Sequence, residues 1–275
     1  MRLSLSSRIA ESPKRKDVAA MSIDDLAARA GAAGFAGISV RAAVVSVDSP
    51  SGAADRVRAL LDNLGLTATM VTGDVSLASN DAGATRALRD IAPYLDLAEG
   101  LGCSLVRVMM GGLDDVADAR RAADAAAERG IALTHLTHWG TPFETAGDAL
   151  ETLKRIDRAN FGVTFEPGNL LACGADCGPD AIAMLAPWLN DFCFQNIRLD
   201  PDSAITFDTA RCGPVGVRYV AIDDASAIDA RPLLAALRQV GYEGWVTVHQ
   251  PLRDGESVDD AIDAAARFFL PLVGP

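Results

Sequence analysis

Short apolar runs alternate with longer alanine- and leucine-rich segments eight times along the 275 residues, and this alternation constrains the fold more than any other feature. The runs are Leu3–Ser6, Gly37–Val45, Thr67–Val71, Ser104–Met110, Ile131–Leu136, Phe161–Phe165, Phe192–Ile197 and Trp245–Val248. Runs of this length predict strands, and the spacing between them predicts helices. Eight strand–helix units predict an α/β fold, a (β/α)8 TIM barrel, with residues 1–275 as a single domain. A doubly wound open sheet is the alternative, although its glycine-rich phosphate-binding sequence is absent after the first strand.

The predicted helices have recognisable ends. Acidic residues gather at helix starts, as in "SIDD" from Ser22 and "SVDD" from Ser257, where they complement the helix dipole. Gly102 and Gly241 lie where a helix gives way to a strand, and glycine readily takes the left-handed conformation that closes a helix. After the seventh predicted strand, Pro201–Ala227 forms the one long insert, which we expect to be irregular.

The charge of the chain argues against nucleic acid as a partner. The formal net charge is −12 and the pI is near 4.6, whereas duplex binding needs clustered cations facing phosphates. The one compact basic run is "PKRK" at Pro13–Lys16, which is followed at once by Asp17. We interpret this run as a solvated loop, with phosphate capture as the alternative.

Targeting and redox signals predict a cytoplasmic protein. No apolar run approaches the roughly 18 residues needed to span a membrane, and the N-terminal segment is too weakly apolar for a secretory signal. The five cysteines form no CxxC pair, and their odd number favours reduced thiols. We therefore expect neither a membrane partner nor a disulfide framework, and we leave open a homo-oligomer.

Polar side chains interrupt or close several of the predicted strands. They are His135 and His138 in the fifth strand, Glu166 in the sixth, Gln195, Asn196 and Arg198 in and after the seventh, and His249 in the eighth. Arg41 and Arg107 lie within the second and fourth. Burying such groups is costly unless they are paired or ligated, and TIM barrels carry their active sites at the carboxyl ends of the strands. The sequence therefore predicts a site at that end of the barrel.

Strand alternation limits which of these side chains act together. His135 and His138 are three residues apart, so a straight strand sends them to opposite faces. Gln195 and Asn196 are likewise on opposite faces, and the sequence leaves open which one of each pair faces the site. Glu166 precedes Pro-Gly-Asn, so its carboxylate either caps that turn or serves as a ligand or base.

The residue types favour metal-assisted chemistry. Imidazole with one carboxylate and an amide oxygen suits Zn, Mn, Fe or Co better than Mg or Ca. A nucleophilic triad is disfavoured because no GxSxG sequence is present.

Three stretches resemble the sugar phosphate isomerase/epimerase superfamily, the xylose isomerase-like TIM barrels. They are "HWGTPFET" from His138, "NFGVTFEPGNLLACG" from Asn160 and "GYEGWVTVHQP" from Gly241. The resemblance implies a divalent metal held by Glu, Asp, His and Glu at successive strand ends. This chain departs from that set, with Leu136 near the first position, Glu166 at the second, Gln195–Ile197 at the third and His249 at the fourth.

The resemblance implies a sugar isomerase or epimerase of carbohydrate metabolism that abstracts a proton beside a carbonyl of a small carbohydrate-like substrate. A lyase or dehydratase acting on a keto-sugar is the alternative, as is a metal-free or non-catalytic ligand-binding barrel. We expect a rebuilt metal site of His135, Glu166, Gln195 and His249, with Glu166, His249 and His138 as the catalytic residues. Arg198, Asn196 and Trp139 are the predicted substrate-binding residues. A rim salt bridge for Arg198 and core packing for Trp139 remain alternatives.

Overall fold

The structure, a computed structural model that describes residues 1–12 and 15–274, contains a closed barrel of eight parallel strands. The barrel strands are β1 (Arg2–Ser6), β2 (Gly37–Arg41), β3 (Thr67–Thr72), β4 (Leu105–Val108), β5 (Ala132–Leu136), β6 (Phe161–Phe165), β7 (Leu189–Phe194) and β11 (Trp245–Val248). Three further strands, β8 (Ile197–Leu199), β9 (Thr206–Thr209) and β10 (Gly213–Tyr219), lie outside the barrel. Strands β1 to β7 follow one another around the barrel, and β11 closes it between β7 and β1. The predicted TIM barrel is confirmed, and each of the eight predicted strands overlaps a barrel strand.

Helices surround the barrel. They are α1 (Ile23–Ala32), α2 (Ala53–Asn63), α3 (Val75–Ser79), α4 (Arg86–Arg89), α5 (Ala92–Leu101), α6 (Val116–Ala127), α7 (Ala146–Ile156), α8 (Pro167–Ala172), α9 (Pro179–Leu185), α10 (Ala230–Gln239) and α11 (Val258–Val273). The long helix predicted between the third and fourth strands is divided into α4 and α5, with a proline in the first turn of α5, where a missing N–H is tolerated. Within the described ranges, no helix is both long and apolar enough to span a membrane.

The helix ends follow from the sequence. Ser22 and Ser257 are N-caps whose side chains accept hydrogen bonds from the backbone N–H groups of Asp25 and Asp260. Gly102 and Gly241 have φ angles of 64° and 73°, the left-handed conformation that stops α5 and follows α10.

The inside of the barrel is small and partly polar. Met70, Leu105, Leu136 and Cys193 form a compact cluster separate from the large core between strands and helices. Hydroxyl pairs accompany it, with Thr134 and Thr164 hydrogen-bonded across β5 and β6 at 2.8 Å. Since residues two apart on a strand share a face, this cluster identifies the inward-facing positions of the strands.

The insert after β7 is ordered, which corrects the prediction of an irregular segment. Strands β8, β9 and β10 form a three-stranded antiparallel sheet. The buried carboxylate of Glu144 anchors its turn, accepting hydrogen bonds from the backbone N–H groups of Ala210 at 2.6 Å and Arg211 at 3.1 Å. The same carboxylate accepts from the N–H of Gly140, so it joins the β9–β10 turn to the loop after β5.

Candidate functional site

A cavity of about 160 Å³ lies at the carboxyl ends of the barrel strands. Its polar wall residues are Arg8, Lys16, Arg41, Ser79, Asn80, Arg107, His138, Asn169, Gln195, Tyr219 and His249. The ends of β2, β4, β7 and β11 contribute four of them, and the loops and short helices contribute most of the rest. The position agrees with the location of active sites in TIM barrels.

Strand alternation places the inward-facing side chains. Arg107 lies two residues after Leu105, and Gln195 lies two residues after Cys193, both of which belong to the inner cluster. Leu136 itself forms part of the cavity wall. Each of these side chains therefore projects into the barrel rather than toward the helices.

Two cations of the cavity share one carboxylate. Arg41 donates from Nε to Oε1 of Glu11 at 2.5 Å and from Nη2 to Oε2 at 3.2 Å. Lys16 Nζ lies 3.4 Å from the same Oε2 atom. One buried carboxylate thus faces two cationic side chains, which leaves an excess of positive charge on this wall.

Arg107 has no acidic partner. Only 3% of the residue is exposed, and in the part of the chain that the structure describes no carboxylate lies within salt-bridge distance of it. Its Nη2 atom donates to Oδ1 of Asn80, and its Nε atom is buried without a hydrogen-bond partner. Burial, followed by the charge of Arg41, lowers the pKa of Arg107 to about 9, so the guanidinium remains protonated at neutral pH.

Arg8 lies just after β1 and donates hydrogen bonds to three other residues of the cavity wall. Its Nη1 atom donates to Oε1 of Gln195 at 2.8 Å and to the carbonyl oxygen of His249 at 3.3 Å. Its Nη2 atom donates to the Tyr219 hydroxyl at 3.0 Å, and its Nε atom is buried without a partner. All these acceptors are uncharged, so Arg8 adds a second guanidinium that no carboxylate contacts within the described ranges.

Glu166 lies behind the cavity wall rather than in it. The residue is fully buried and caps α8, accepting from the N–H groups of Gly168 at 3.0 Å and Asn169 at 2.7 Å. Its Oε2 atom also accepts from Nε2 of Gln195 at 2.9 Å. Burial raises the pKa of Glu166 to about 7, against the opposing effect of these donors. The carboxylate therefore positions Gln195. Of the two roles predicted for Glu166, its contacts match capping of the turn that follows it.

His138 presents an uncharged imidazole to the cavity. Its Nδ1 atom lies 2.8 Å from the carbonyl oxygen of Trp139, which can only accept, so Nδ1 carries the proton and Nε2 carries a lone pair. Burial, followed by the charge of Arg107, lowers the pKa of His138 to about 3. The side chain is therefore neutral at physiological pH and can accept a proton at Nε2.

His249 forms another part of the cavity wall. Its Nδ1 atom lies 3.0 Å from the Ser6 hydroxyl. Burial, followed by the charges of Arg8 and Arg41, lowers the pKa of this imidazole well below its ordinary value. Both cavity histidines are thus held neutral by burial and by positive charges, of which those of Arg8 and Arg107 act on both.

His135 faces the opposite way, as strand alternation requires for a neighbour of Leu136. Its ring stacks on Phe143 with centroids 3.9 Å apart, and Nδ1 donates to the Leu136 carbonyl oxygen at 2.6 Å. Nε2 is buried without a partner. The structure therefore resolves the open choice between the two histidines of β5 by placing His138 at the cavity and His135 outside it.

Two of the predicted substrate-binding residues are also absent from the cavity. Asn196 faces away from the barrel axis and holds the segment before α10, donating to the carbonyl oxygens of Ala221 and Asp224 at 3.0 Å. Arg198 is exposed on β8. The predictions for both residues are corrected, because the turn after Gln195 directs the chain into the antiparallel sheet.

Aromatic side chains cover the cavity. Trp139, the third predicted substrate-binding residue, lies in its wall and stacks on Phe207 with centroids 5.4 Å apart. Phe207 and Tyr219 come from β9 and β10, so the inserted sheet supplies part of the cover. The aromatic wall is suited to the apolar face of a small ring or chain.

The predicted metal ligands do not come together. Among residues 1–12 and 15–274, no group of three or more His, Cys, Asp or Glu side chains is placed to hold an ion. Leu136 has no donor atom, His135 faces outward, and the oxygens of Glu166 already accept from N–H donors. The surrounding cations would in addition repel a divalent cation. The residues present therefore do not fit a resident divalent metal.

Several cavity residues were absent from the predicted site, among them Arg8, Lys16, Asn80 and Tyr219. Arg41 and Arg107 could have been predicted as site residues from the sequence, since each is a charged residue within an apolar strand. Lys16 belongs to the basic run that was interpreted as a solvated loop, of which Pro13 and Lys14 lie outside the described residues. Asn80 and Tyr219 reach the cavity through α3 and the inserted sheet, neither of which was predicted.

Comparison with known proteins supports the fold. The family model described as xylose isomerase-like TIM barrel matches residues 25–272. A sequence search of curated proteins finds no match.

Solved structures similar to the chain include the probable 3-DHS dehydratase AsbF from Bacillus anthracis, with 19% identity, TM-score 0.71, and coverage of 97% of this chain and 98% of that one. A D-psicose 3-epimerase solved in the presence of D-fructose has 18% identity and TM-score 0.70, with both chains fully covered. A xylose isomerase-like TIM barrel protein from Mycobacterium smegmatis, solved with magnesium, has 16% identity and TM-score 0.69, with 99% and 96% covered. At these identities the likeness shows the fold.

Proposed function

The chain belongs to the xylose isomerase-like TIM barrel family, and from this premise we propose that it is an isomerase or epimerase that acts without a resident metal ion. Its substrate is a small polyhydroxylated carbonyl compound, and its first step is removal of a proton from the carbon beside the carbonyl. The observation that carries the proposal is the cavity itself, in which a neutral imidazole shares the wall with the guanidinium groups of Arg107 and Arg8.

His138 is the proposed base. In the first step the C–H bond breaks, its electron pair forms the new C=C bond, and the carbonyl oxygen becomes an enediolate oxygen. The proton moves to Nε2 of His138, whose tautomer is fixed by the hydrogen bond from Nδ1 to Trp139. A base with a pKa near 3 is weak. Burial is the largest cause of this low pKa and the charge of Arg107 is the next, and negative charge developing beside Arg107 offsets the second cause.

Guanidinium groups replace the metal as the stabilising positive charge. Arg8 and Arg107 are both wall residues, and each is fixed by hydrogen bonds to uncharged neighbours. Charged donors that are already oriented in a buried site stabilise a developing oxyanion without reorganisation. The proposal therefore needs no step through a metal ion.

Return of the proton decides the product. Delivery to the neighbouring carbon, with the hydroxyl proton passing from one enediolate oxygen to the other, gives isomerisation, and delivery to the opposite face of the original carbon by a second acid gives epimerisation. Loss of a β-hydroxyl as water gives a dehydratase, the second candidate, which is supported by the same first step and by the dehydratase among the structural neighbours. Tyr219 is a wall residue whose hydroxyl can supply a proton.

Hydrogen–deuterium exchange tests the proposed first step. The chelator-treated protein is incubated in D2O with ketohexoses, hexuronates and their phosphate esters, and loss of the proton beside the carbonyl is followed by ¹H NMR. We expect exchange with at least one compound, reduced about 10²–10⁴-fold in His138→Gln. His135→Gln is the matched control, because that imidazole lies three residues earlier on β5 but outside the cavity.

The alternatives give different results. Exchange that requires added Mn²⁺ or Mg²⁺ would overturn the metal-free mechanism. A protein that binds these compounds without exchange or turnover would be the non-catalytic ligand-binding barrel. Equal loss of exchange in the His135 and His138 variants, both folded by circular dichroism, would remove His138 as the base.

A further inference from the structure

Among the described residues, two guanidinium groups face the cavity without a carboxylate partner, that of buried Arg107 and that of partly buried Arg8, in a chain whose net charge is −12. Arg107 and Arg8 each retain a buried Nε atom that has no hydrogen-bond partner. By contrast, Arg41 in the same cavity wall is paired with Glu11, and several arginines outside the cavity are paired with acidic residues. Acidic residues are abundant, so the lack of a carboxylate partner distinguishes Arg107 and Arg8 from these arginines.

A buried cation without a counter-charge destabilises the folded protein. Removing a guanidinium from water costs several kcal/mol, which neutral partners such as Asn80 and Gln195 only partly offset. A bound anion would supply the missing charge and accept hydrogen bonds from the guanidinium N–H groups. The unpaired cations therefore favour binding of an anion in the cavity, and they lower the stability of the ligand-free protein.

We propose that the substrate is a small polyhydroxylated anion whose carboxylate or phosphate group is bound by Arg107 and Arg8. Lys16 lies in the same wall and, although 3.4 Å from Glu11, adds further positive potential at the cavity. The proposal rests on the proposed function and specifies its substrate class. A cavity of about 160 Å³ accommodates a sugar acid or a short sugar phosphate rather than a nucleotide.

The neutral wall defines where the rest of the ligand lies. Asn80 and Asn169 offer amide groups, and Trp139 with Phe207 offers an apolar surface. This combination suits a chain of hydroxyl and C–H groups attached to the anionic end. A focused positive potential in a low-dielectric cleft also attracts anions from solution despite the negative charge of the whole protein.

Thermal unfolding with chosen probes tests the charge requirement. The purified full chain is heated with inorganic phosphate, D-glucuronate, D-glucose 6-phosphate or D-glucose, in chloride at matched ionic strength. We expect at least one anionic probe to raise Tm by about 2–6 °C, and D-glucose to leave it unchanged. Response to the glucuronate alone identifies a carboxylate, and response to the phosphates alone identifies a phosphate group.

Arg107→Met is the informative variant, and Arg198→Met is its matched control on the exposed strand β8. The Arg107 variant should lose the Tm response, whereas the Arg198 variant should keep it. An equal response to D-glucose, no response to any anion, or an unchanged response in Arg107→Met would each overturn the proposal.

The exchange experiment separates this inference from the proposed function. Anion binding that depends on Arg107 but gives no exchange would support the anionic ligand and contradict the proposed enzymatic function. Exchange that is as fast with uncharged ketohexoses as with the anionic sugars would support the enzyme and contradict the anionic substrate.

Discussion

Arg8 donates a hydrogen bond of 2.8 Å to the side-chain oxygen of Gln195. Gln195 is the inward-facing residue of the segment where the family resemblance places a histidine ligand. Its Nε2 atom donates a hydrogen bond of 2.9 Å to Oε2 of Glu166. A fixed guanidinium thus lies beside the residue at which the resemblance places a metal ligand. The metal-free mechanism that we propose takes its positive charge from this side chain.

Divalent ions should therefore have little effect on stability. We expect Mg²⁺, Mn²⁺ or Zn²⁺ added at about 1 mM to chelator-treated protein to change Tm by less than about 1 °C, because a ligand that binds only weakly adds almost nothing to the free energy of unfolding. Differential scanning fluorimetry measures this. A saturable rise in Tm that His249→Ala abolishes would contradict the prediction.

Replacing Arg107 should stabilise the ligand-free protein. Methionine preserves much of the apolar volume and removes an unpaired buried charge, so we expect the free energy of unfolding to rise by about 1–3 kcal/mol. Urea denaturation without ligand gives the value, and Arg198→Met on the exposed strand should stay within about 0.5 kcal/mol of the original protein. A loss of stability in the Arg107 variant would show that its hydrogen bond to Asn80 outweighs the cost of burial.

Glu166→Gln should destabilise the fold by about 1–3 kcal/mol. Oε1 accepts from Gly168 N–H, and Oε2 accepts from Asn169 N–H and the Gln195 amide, so either orientation of a glutamine directs its NH2 group at a donor. Urea denaturation is again the measurement. The matched control is Glu151→Gln on the exposed face of α7, which removes only a surface pair with Lys154.

The barrel could be predicted from the sequence because its signals are local. Apolar runs of strand length, the alternation with amphipathic segments, and glycines such as Gly102 each specify one strand or helix. The inserted sheet could not be predicted in this way. Its short strands are half exposed, and its position is fixed by the distant carboxylate of Glu144.

The site was predictable only in part, for a related reason. Sequence placed His138, Gln195, His249 and Trp139 near the strand ends, and the cavity contains all four. It did not show that Arg8 would reach Gln195, since 187 positions separate them along the chain. The prediction of metal-assisted chemistry was based on the presence of the imidazoles. The charge of the cavity depends on which arginines have a carboxylate beside them in the folded protein, and the sequence does not show this.

The buried carboxyl of Asp191 should make stability depend on pH. Burial raises its pKa to about 7, so the folded state holds a proton that the unfolded chain, with a value near 3.8, releases at lower pH. The stability that this proton confers is full below pH 4 and is lost as pH rises toward 7. In Asp191→Asn that loss is absent, so we expect the variant to gain about 1–3 kcal/mol relative to the original protein between pH 5 and pH 8.

Urea denaturation at several pH values tests this prediction, with the difference between the two proteins removing contributions that they share. The hydroxyl of Thr247 contacts both carboxyl oxygens of Asp191 and can also contact an amide, so the variant should fold. A difference that stays constant from pH 5 to pH 8 would show that Asp191 does not titrate in this range.

The cover of the cavity should depend on Glu144. Its carboxylate accepts from the backbone of Ala210 and Arg211 at the β9–β10 turn and from Gly140 beside Trp139. In Glu144→Gln the new NH2 group faces one of these N–H donors, which costs about 1–3 kcal/mol locally and favours opening of the turn. Since about 1.4 kcal/mol is a factor of ten in an equilibrium constant, tryptic cleavage after exposed Arg211 should accelerate about 10-fold or more.

Mass spectrometry of timed digests identifies the cleaved bond, and Glu151→Gln serves as the control for a glutamate change elsewhere. Because Phe207 lies on the same hairpin and stacks on Trp139, opening should also increase quenching of tryptophan fluorescence by acrylamide. Faster cleavage without greater quenching would mean that the turn frays while the aromatic cover stays closed. In that case Glu144 would anchor the turn alone, and the packing of Phe207 on Trp139 would hold the cover.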